Sequence, residues 1–478
     1  MWTISEVLEG GQGQLEGGCL KETTCDGFSI DSRTVKKNDL FFALSGPHFD
    51  GHAFVADALE RGGMGAVVSR AVFQARREAW RSLSKTHGFI LVEDPLSALQ
   101  SLAKWHRRRF DVPVVGVTGS NGKTTTKEMA AAILARRGAV LKTEGNFNNH
   151  IGLPLTLLRL NHTHTAAVVE MGINQRGEMP LLCKIAQPTI GLITNIGPAH
   201  LEGLGSLEGV SAEKGLLFEA IKSKGAAIIN QDDPFLAPWK ARVPRSWTFG
   251  LSSGPKSADI TADHIVLKKD HSTFTLHQNR AETSASIRLP VPGKHHVSNA
   301  LAASAVAASL GFNLEAVSEG LGCFQSLPQR TEILDAEKCT ILFDAYNANP
   351  ASVKAALDLL AGTPLPSGKR IAVLGDMLEL GDFSDAAHVE IGKYAANKGI
   401  DRLIAVGRYA DQIAAGAREG SMKTENTAAY PELSGVETRL WRWAKPGDLT
   451  LIKGSRGMKM ERLLPVLGWP KTEQGGHT

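Results

Sequence analysis

The chain has 478 residues, 42 % hydrophobic and 21 % charged, with a formal net charge of +4. It is too long for a single core, and so small a charge gives no ground for a nucleic-acid or membrane-surface partner. The five scattered cysteines form no C-x-x-C pair, which argues against a disulfide scaffold or a structural zinc site and fits a reducing cytosol.

The opening MWTISEVLEG is not a basic segment followed by an apolar one, and no apolar run approaches the ~20 residues of a membrane span. The expectation is a cytoplasmic monomer. Three regions follow one another, at 1–108, 109–326 and 327–478. The first has short strand-like pieces, DLFFAL and GAVVSR. It closes in PLSALQSLAKWHRRRF, where Leu96, Leu99, Leu102 and Trp105 recur at helical spacing and the basic end suits a helix C-terminus. The second alternates apolar strands (VPVVGVT, AAVVEMG, TIGLITNIG) with helices, the first helix running from Lys123 to a stop at Gly138. The third repeats that texture in CTILFDAYNANP, KRIAVLGDM, RLIAVGRYA and LTLIKGSRG. The pattern predicts an α/β protein of three domains: a small α/β domain, a central P-loop domain with a parallel sheet, and a Rossmann-like C-terminal domain. The polar tail WPKTEQGGHT is expected to fray.

Most of the conspicuous polar clusters come directly after an apolar strand, and open parallel sheets bind ligands beyond those strand ends. Foremost is Gly119-Ser120-Asn121-Gly122-Lys123-Thr124-Thr125, between a strand and a helix. Glycines let backbone N–H groups face an anion, the helix N-terminus adds positive potential, and Lys123 neutralises a terminal phosphate. Thr124 follows the lysine where a hydroxyl serves Mg²⁺. Val117 stands where the usual motif has its first glycine, so Gly116 and Gly119 serve instead. The motif implies a bound nucleoside triphosphate.

Glu170 and His200 end or follow neighbouring strands and could hold a divalent ion or its waters; a structural histidine is the competing reading. Lys214, read alone, is an ordinary helix-face lysine. In the third region Asp344, Tyr346, Asn347 and Asn349 share one loop, suited to fixing a polar ligand, while Lys453 and Arg456 could hold a carboxylate or developing negative charge. Turn-forming and solvated residues are the bland alternative.

Taken together, GVTGSNGKTTTKE, TEGNFNNHIGLP, NIGPAHLEGLGS, GKHHVSNALAA, LPQRTE, DAYNANP, GDMLELG and KGSRGMKME resemble the Mur ligase family, in family order from about residue 29 to 460. DAYNANP with GDMLELG is similar to members that add D-alanyl-D-alanine to the UDP-N-acetylmuramoyl tripeptide. The resemblance implies an ATP- and Mg²⁺-dependent ligase working through an acyl phosphate. It implies that Ser32 and Arg33 meet the UDP part, that Asn146, Asn148 and Asn149 touch the muramoyl substrate, and that Glu170 and His200 are metal ligands. It also implies that Asn299 meets the adenine, that Arg330 and Asp344 reach the nucleotide from across a cleft, and that Lys214 is carbamylated. Two positions depart from the family pattern: Phe343, where many relatives have an aspartate, and Leu216, where a glutamate is common. A Mur-type ligase adding a single amino acid and a small-molecule P-loop kinase remain as alternatives.

Overall fold

The computed structural model describes residues 1–17, 23–47, 49–221, 225–251 and 258–470. Cys19 and the last eight residues of the polar tail lie outside them. The chain is of the α/β class and builds three main sheets. The first has five strands in the order Gln14–Glu16, Gly88–Val92, Gly65–Ser69, Asp39–Phe42, Gly27–Ser29, parallel except at the Gln14–Glu16 edge. The second has nine. Its parallel part runs from Ala139–Lys142 through His164–Glu170, Val114–Thr118, Ile190–Ile193, Ala226–Asn230 and Ser246–Gly250 to Ile260–Leu267. Two antiparallel strands, Ser272–Gln278 and Thr283–Leu289, extend it; the sequence reading anticipated only the parallel part. The third sheet has six strands, parallel apart from Glu332–Asp335 at one edge.

Why these segments become strands is plain at the centre of the second sheet. Val114, Val115 and Val117 are wholly buried, as a strand covered on both faces requires. The helix Lys123–Leu134 buries Met129, Ala130, Ile133 and Leu134 against one face, together with the alanine-rich helix Lys294–Ser309. Small alanines allow these two helices to pack closely, and Asn299 comes down onto the start of the first.

The core of the first region does not stop at its own edge. Leu40, Phe42, Leu99 and Leu102 belong to one buried apolar cluster with Leu153, Leu157, Met179 and Leu182 of the second region. The helix Pro95–Arg107, capped by the Asp94 side chain on the N–H of Ser97, lies at this junction. Buried Arg107 donates to the carbonyls of Ala186, Phe110 and Val112. Among the described residues, no apolar cluster runs from the second region into the third. No helix among them is long and apolar enough to cross a membrane.

Candidate functional site

The strand Val114–Thr118 ends in the loop that opens the helix at Lys123. Gly119 and Gly122 both have left-handed φ, +144° and +78°. A Cβ on Gly119 would collide with the Thr194 hydroxyl, and one on Gly122 with Asn299 Oδ1. Glycine is therefore required twice over, for the backbone and for the space. The loop is tied to the next strand's exit: Ser120 N–H donates to the Asn195 carbonyl at 2.9 Å, Asn121 N–H to Asn195 Oδ1 at 3.0 Å, and Gly197 N–H to Ser120 Oγ at 2.8 Å. Asn195 went unassigned in the sequence, although it follows its strand in TNIG just as the assigned residues follow theirs.

Lys123 Nζ donates to the Gly119 carbonyl at 2.9 Å, folding over its own loop. Burial pushes its pKa below the usual lysine value and the Arg330 charge pushes the same way, against the pull of Glu170. These influences put Glu170 and Arg330, from different regions, within electrostatic range of one ammonium. Lys214 is buried and its pKa is lowered to about 7, first by burial and then by Lys123. Thr124 is half-buried and Thr125 buried in the same helix turn.

Glu170 is buried. Its N–H donates to Thr143 Oγ1 at 2.9 Å, and Oε1 accepts from Asn148 Nδ2 at 2.8 Å. Its Oε2 is buried without a hydrogen-bond partner. An orphaned carboxylate oxygen next to a phosphate-type loop is a hard donor of the kind Mg²⁺ takes. No cluster of three or more His, Cys, Asp or Glu stands among the described residues. Mg²⁺ is commonly held by one or two carboxylates with substrate phosphates and water supplying the rest. The residues present fit that ion. His200 has left-handed φ (+57°), and its Nδ1 lies 2.7 Å from Oε2 of Glu379, itself at φ +65° in the third region. The hydrogen bond to His200 is what chiefly holds the Glu379 carboxyl below its usual pKa. GDMLELGD had been singled out in the sequence, but Glu379 had no role there.

The third region meets the loop directly. Asn349 Nδ2 donates to Asn121 Oδ1 at 2.7 Å, while Asn349 Oδ1 caps the helix Pro350–Gly362 by accepting from Ser352 N–H at 2.9 Å. Arg330 stacks on Tyr346, its guanidinium carbon 3.9 Å from the ring centroid. Gln329 and Thr331 on either side of it are both left-handed, at φ +62° and +55°. A β-branched residue in that region is strained. Asp344 accepts from Thr331 N–H at 3.2 Å and pairs with Lys453 at 2.6 Å.

Other sequence candidates fall differently. Lys453 is read above as able to hold a carboxylate or developing negative charge; in the structure it is buried and donates to Asp344 Oδ2, Asp344 O and Asn347 O. An ammonium has three N–H groups, so none is left for a ligand, and Lys453 instead secures the DAYNAN loop. Asn149 Oδ1 is taken up by the N–H groups of Ile151 and Gly152 at the start of a helix. Asn146 is exposed, and the exposed Asn347 accepts from the N–H of Ala348. Arg456 donates to Gln329 Oε1 at 2.6 Å. Ser32 and Arg33 follow the strand Gly27–Ser29 of the first sheet, in a turn held by Asp31; Ser32 is buried, and Arg33 is exposed and doubly bonded to the Asp31 carboxylate.

The architecture has known relatives. Family-wide sequence patterns match in three successive stretches: "Mur ligase family, catalytic domain" over residues 24–107, "Mur ligase middle domain" over 117–307, and "Mur ligase, glutamate ligase domain" over 329–456. Proteins named UDP-N-acetylmuramoyl-tripeptide--D-alanyl-D-alanine ligase from Bacillus subtilis and Escherichia coli are each 36 % identical to this chain. The alignments cover 97 % of this chain and 98 % of each relative. A crystal structure of MurF from Acinetobacter baumannii superposes with a TM-score of 0.86 at 32 % identity, covering 98 % of both chains. MurF ligase from Thermotoga maritima in complex with ADP superposes at 0.79 with 28 % identity, covering 92 % of this chain and 97 % of that one. On family patterns, relatives and fold alike, this chain belongs to the Mur ligase family.

Proposed function

We propose that the chain is an ATP-dependent ligase that joins D-alanyl-D-alanine to the UDP-N-acetylmuramoyl tripeptide, forming ADP and phosphate, and that it works as a monomer. Near-full-length relatives of that name support the reaction. The observation that carries the ligase reading from the geometry is the contact between the phosphate loop and the DAYNANP loop, Asn121 to Asn349. A kinase that stops at phosphoryl transfer has no use for a second lobe bonded to its P-loop.

The chemistry follows from the residues. A carboxylate repels nucleophiles and has no competent leaving group. Transfer of the γ-phosphoryl to the tripeptide carboxylate forms an acyl C–O–P linkage, breaks the bond to ADP, and supplies one. Lys123 neutralises the transferring charge, while the backbone N–H groups of 122–124, at the helix N-terminus, hold the phosphates. Arg330, strained into place across the cleft, adds a second cation on the far side of the nucleotide, and Asn299 borders the loop where the nucleoside would extend. The dipeptide amine then attacks the acyl carbon, the oxyanion collapses, and inorganic phosphate leaves. Mg²⁺ would be held by Glu170, with Thr124 and His200 as further ligands, and would neutralise phosphate charge when bound.

Lys214 is the residue whose environment matches carbamylation. With its pKa lowered to about 7, a large share of the amine is neutral at physiological pH. It can add CO₂, lose a proton and become an anion beside Lys123. Protein equilibrated with ¹³C-labelled bicarbonate should show a carbamate carbon resonance that Lys214→Ala lacks.

The direct test incubates the protein with ATP, Mg²⁺ and the tripeptide substrate, plus D-alanyl-D-alanine or single amino acids, and follows phosphate release. Release only with the dipeptide supports the reading; release without any amine supports a kinase, and release with a single amino acid another family member. Lys123→Ala should lower both ADP release and amide formation by roughly 10³-fold or more, and turnover retained by that variant would overturn the assignment.

A further inference from the structure

We infer that the hydrogen bond from Asn349 to Asn121 couples the two halves of the reaction, with Asn349 acting as a positioning residue that holds the last lobe on the phosphate loop while the acyl phosphate waits for its amine. The inference rests on the ligase reading above and deepens it.

The orientation of the Asn349 amide is fixed by its other bond, and that of the Asn121 amide follows from it. Asn349 Oδ1 is committed to Ser352 N–H as the helix cap, and Ser352 Oγ accepts in return from Asn349 N–H at 3.0 Å. The remaining group of the Asn349 side chain, Nδ2, is thus the donor that meets Asn121 Oδ1 at 2.7 Å. The Asn121 backbone is held as well. Its N–H is held by Asn195 Oδ1, and its carbonyl accepts from Asn195 Nδ2 at 3.1 Å and from the Thr194 hydroxyl. Asn349 is buried although it lies between lobes that share no apolar cluster among the described residues. One polar contact therefore reaches from the helix that closes the DAYNANP loop to the second residue before the loop lysine.

The position gives the bond a specific consequence. Phosphoryl transfer draws on the P-loop side of the cleft and on Arg330; amide formation needs in addition the amine delivered from the last lobe before water arrives. If the lobes part early, water attacks the acyl phosphate, the C–O bond to phosphate breaks, and carboxylate and inorganic phosphate are released with no amide made. Weakening the contact should therefore waste ATP more than it slows ATP consumption.

The experiment measures phosphate released per amide formed, in the full-length protein with all substrates present. Wild type should give a ratio of one. Asn349→Ser keeps a good capping oxygen but is too short to reach Asn121, and should raise the ratio at least twofold with the melting temperature unchanged. Asn121→Leu removes the same bond from the other lobe, where no cap is at stake, and should also raise it. The double variant should be no more uncoupled than the worse single one, as expected when both substitutions delete one interaction. A ratio that stays at one in both single variants, or uncoupling that multiplies in the double variant, would overturn the inference. A wild-type protein that forms no amide at all would instead overturn the ligase reading itself.

Discussion

The middle region has two neighbours and joins them in opposite ways. Towards the first region it shares a continuous apolar cluster, with Leu99 and Leu102 packed among Leu153, Leu157 and Met179, and with buried Arg107 hydrogen-bonded to three carbonyls. Towards the last region the described contacts are polar: Asn121 with Asn349, His200 with Glu379, and Lys269 with Asp335 and Thr340. Apolar burial is favourable whenever water is excluded and is costly to undo. Polar contacts are replaced by bonds to water when the surfaces part, so each contributes little net stability. The first junction is thus the costlier to part and the second the cheaper, which suits a reaction that must admit a nucleotide and two further substrates and then exclude water.

Breaking the first junction should give the largest effect. Leu102→Ala removes a fully buried side chain from the shared cluster and should cost about 2–5 kcal/mol, read as a lower denaturant midpoint, with turnover per folded molecule little changed. Next comes acid. His106 is buried in this junction: its Nε2 faces the Leu160 carbonyl at 2.7 Å, Trp2 packs on its ring, and burial lowers its pKa to about 4 from the usual 6.5. The unfolded chain therefore binds this proton at pH values where the folded one does not. Its contribution is intact above pH 6.5 and is lost as pH falls towards 4, by roughly 1 kcal/mol per pH unit. His106→Gln should flatten the melting-temperature profile across that window.

At the second junction, Glu379→Ala should lower turnover by about tenfold, the effect of losing a partner that orients a metal-binding histidine, the role proposed for His200, while the melting temperature hardly moves. A drop of several degrees would mean that this junction also carries stability. The smallest effect belongs to Lys269→Ala, whose half-exposed ammonium meets a largely exposed Asp335 carboxylate. It should change stability by no more than ~1 kcal/mol, measured by chemical denaturation.

Much of this could be read from the residues alone. The phosphate loop, the parallel strands and the polar clusters at their ends follow from local rules: glycine where φ must be positive, valine where both faces are covered, polar residues where a strand meets solvent. Three features could not be read that way. The strands Ser272–Gln278 and Thr283–Leu289 do alternate, Phe274 and Leu276 with Thr273, Thr275 and His277, and Ile287 and Leu289 with Ser286 and Arg288, but their place at the end of the nine-stranded sheet depends on pairing that no single segment announces. Lys453 looked available because it follows a strand, yet its neighbours Asp344 and Asn347 come from more than 100 positions away. Glu379 acquires its role from His200, which lies on another lobe. Strand ends advertise which residues are polar; only the folded chain decides which of them are already spoken for.

The chain passes from the middle lobe to the last once only, through the stretch that carries Arg330 between two left-handed residues, Gln329 and Thr331. Both neighbours are tied to the last lobe, Gln329 by Tyr346 N–H and Arg456, and Thr331 by Asp344, so the cation of Arg330 travels with that lobe. Rotation of the lobe changes the electric field at Lys123 in the same motion that opens or seals the gap, and the protein needs no separate messenger to tell its ammonium where the distant lobe stands.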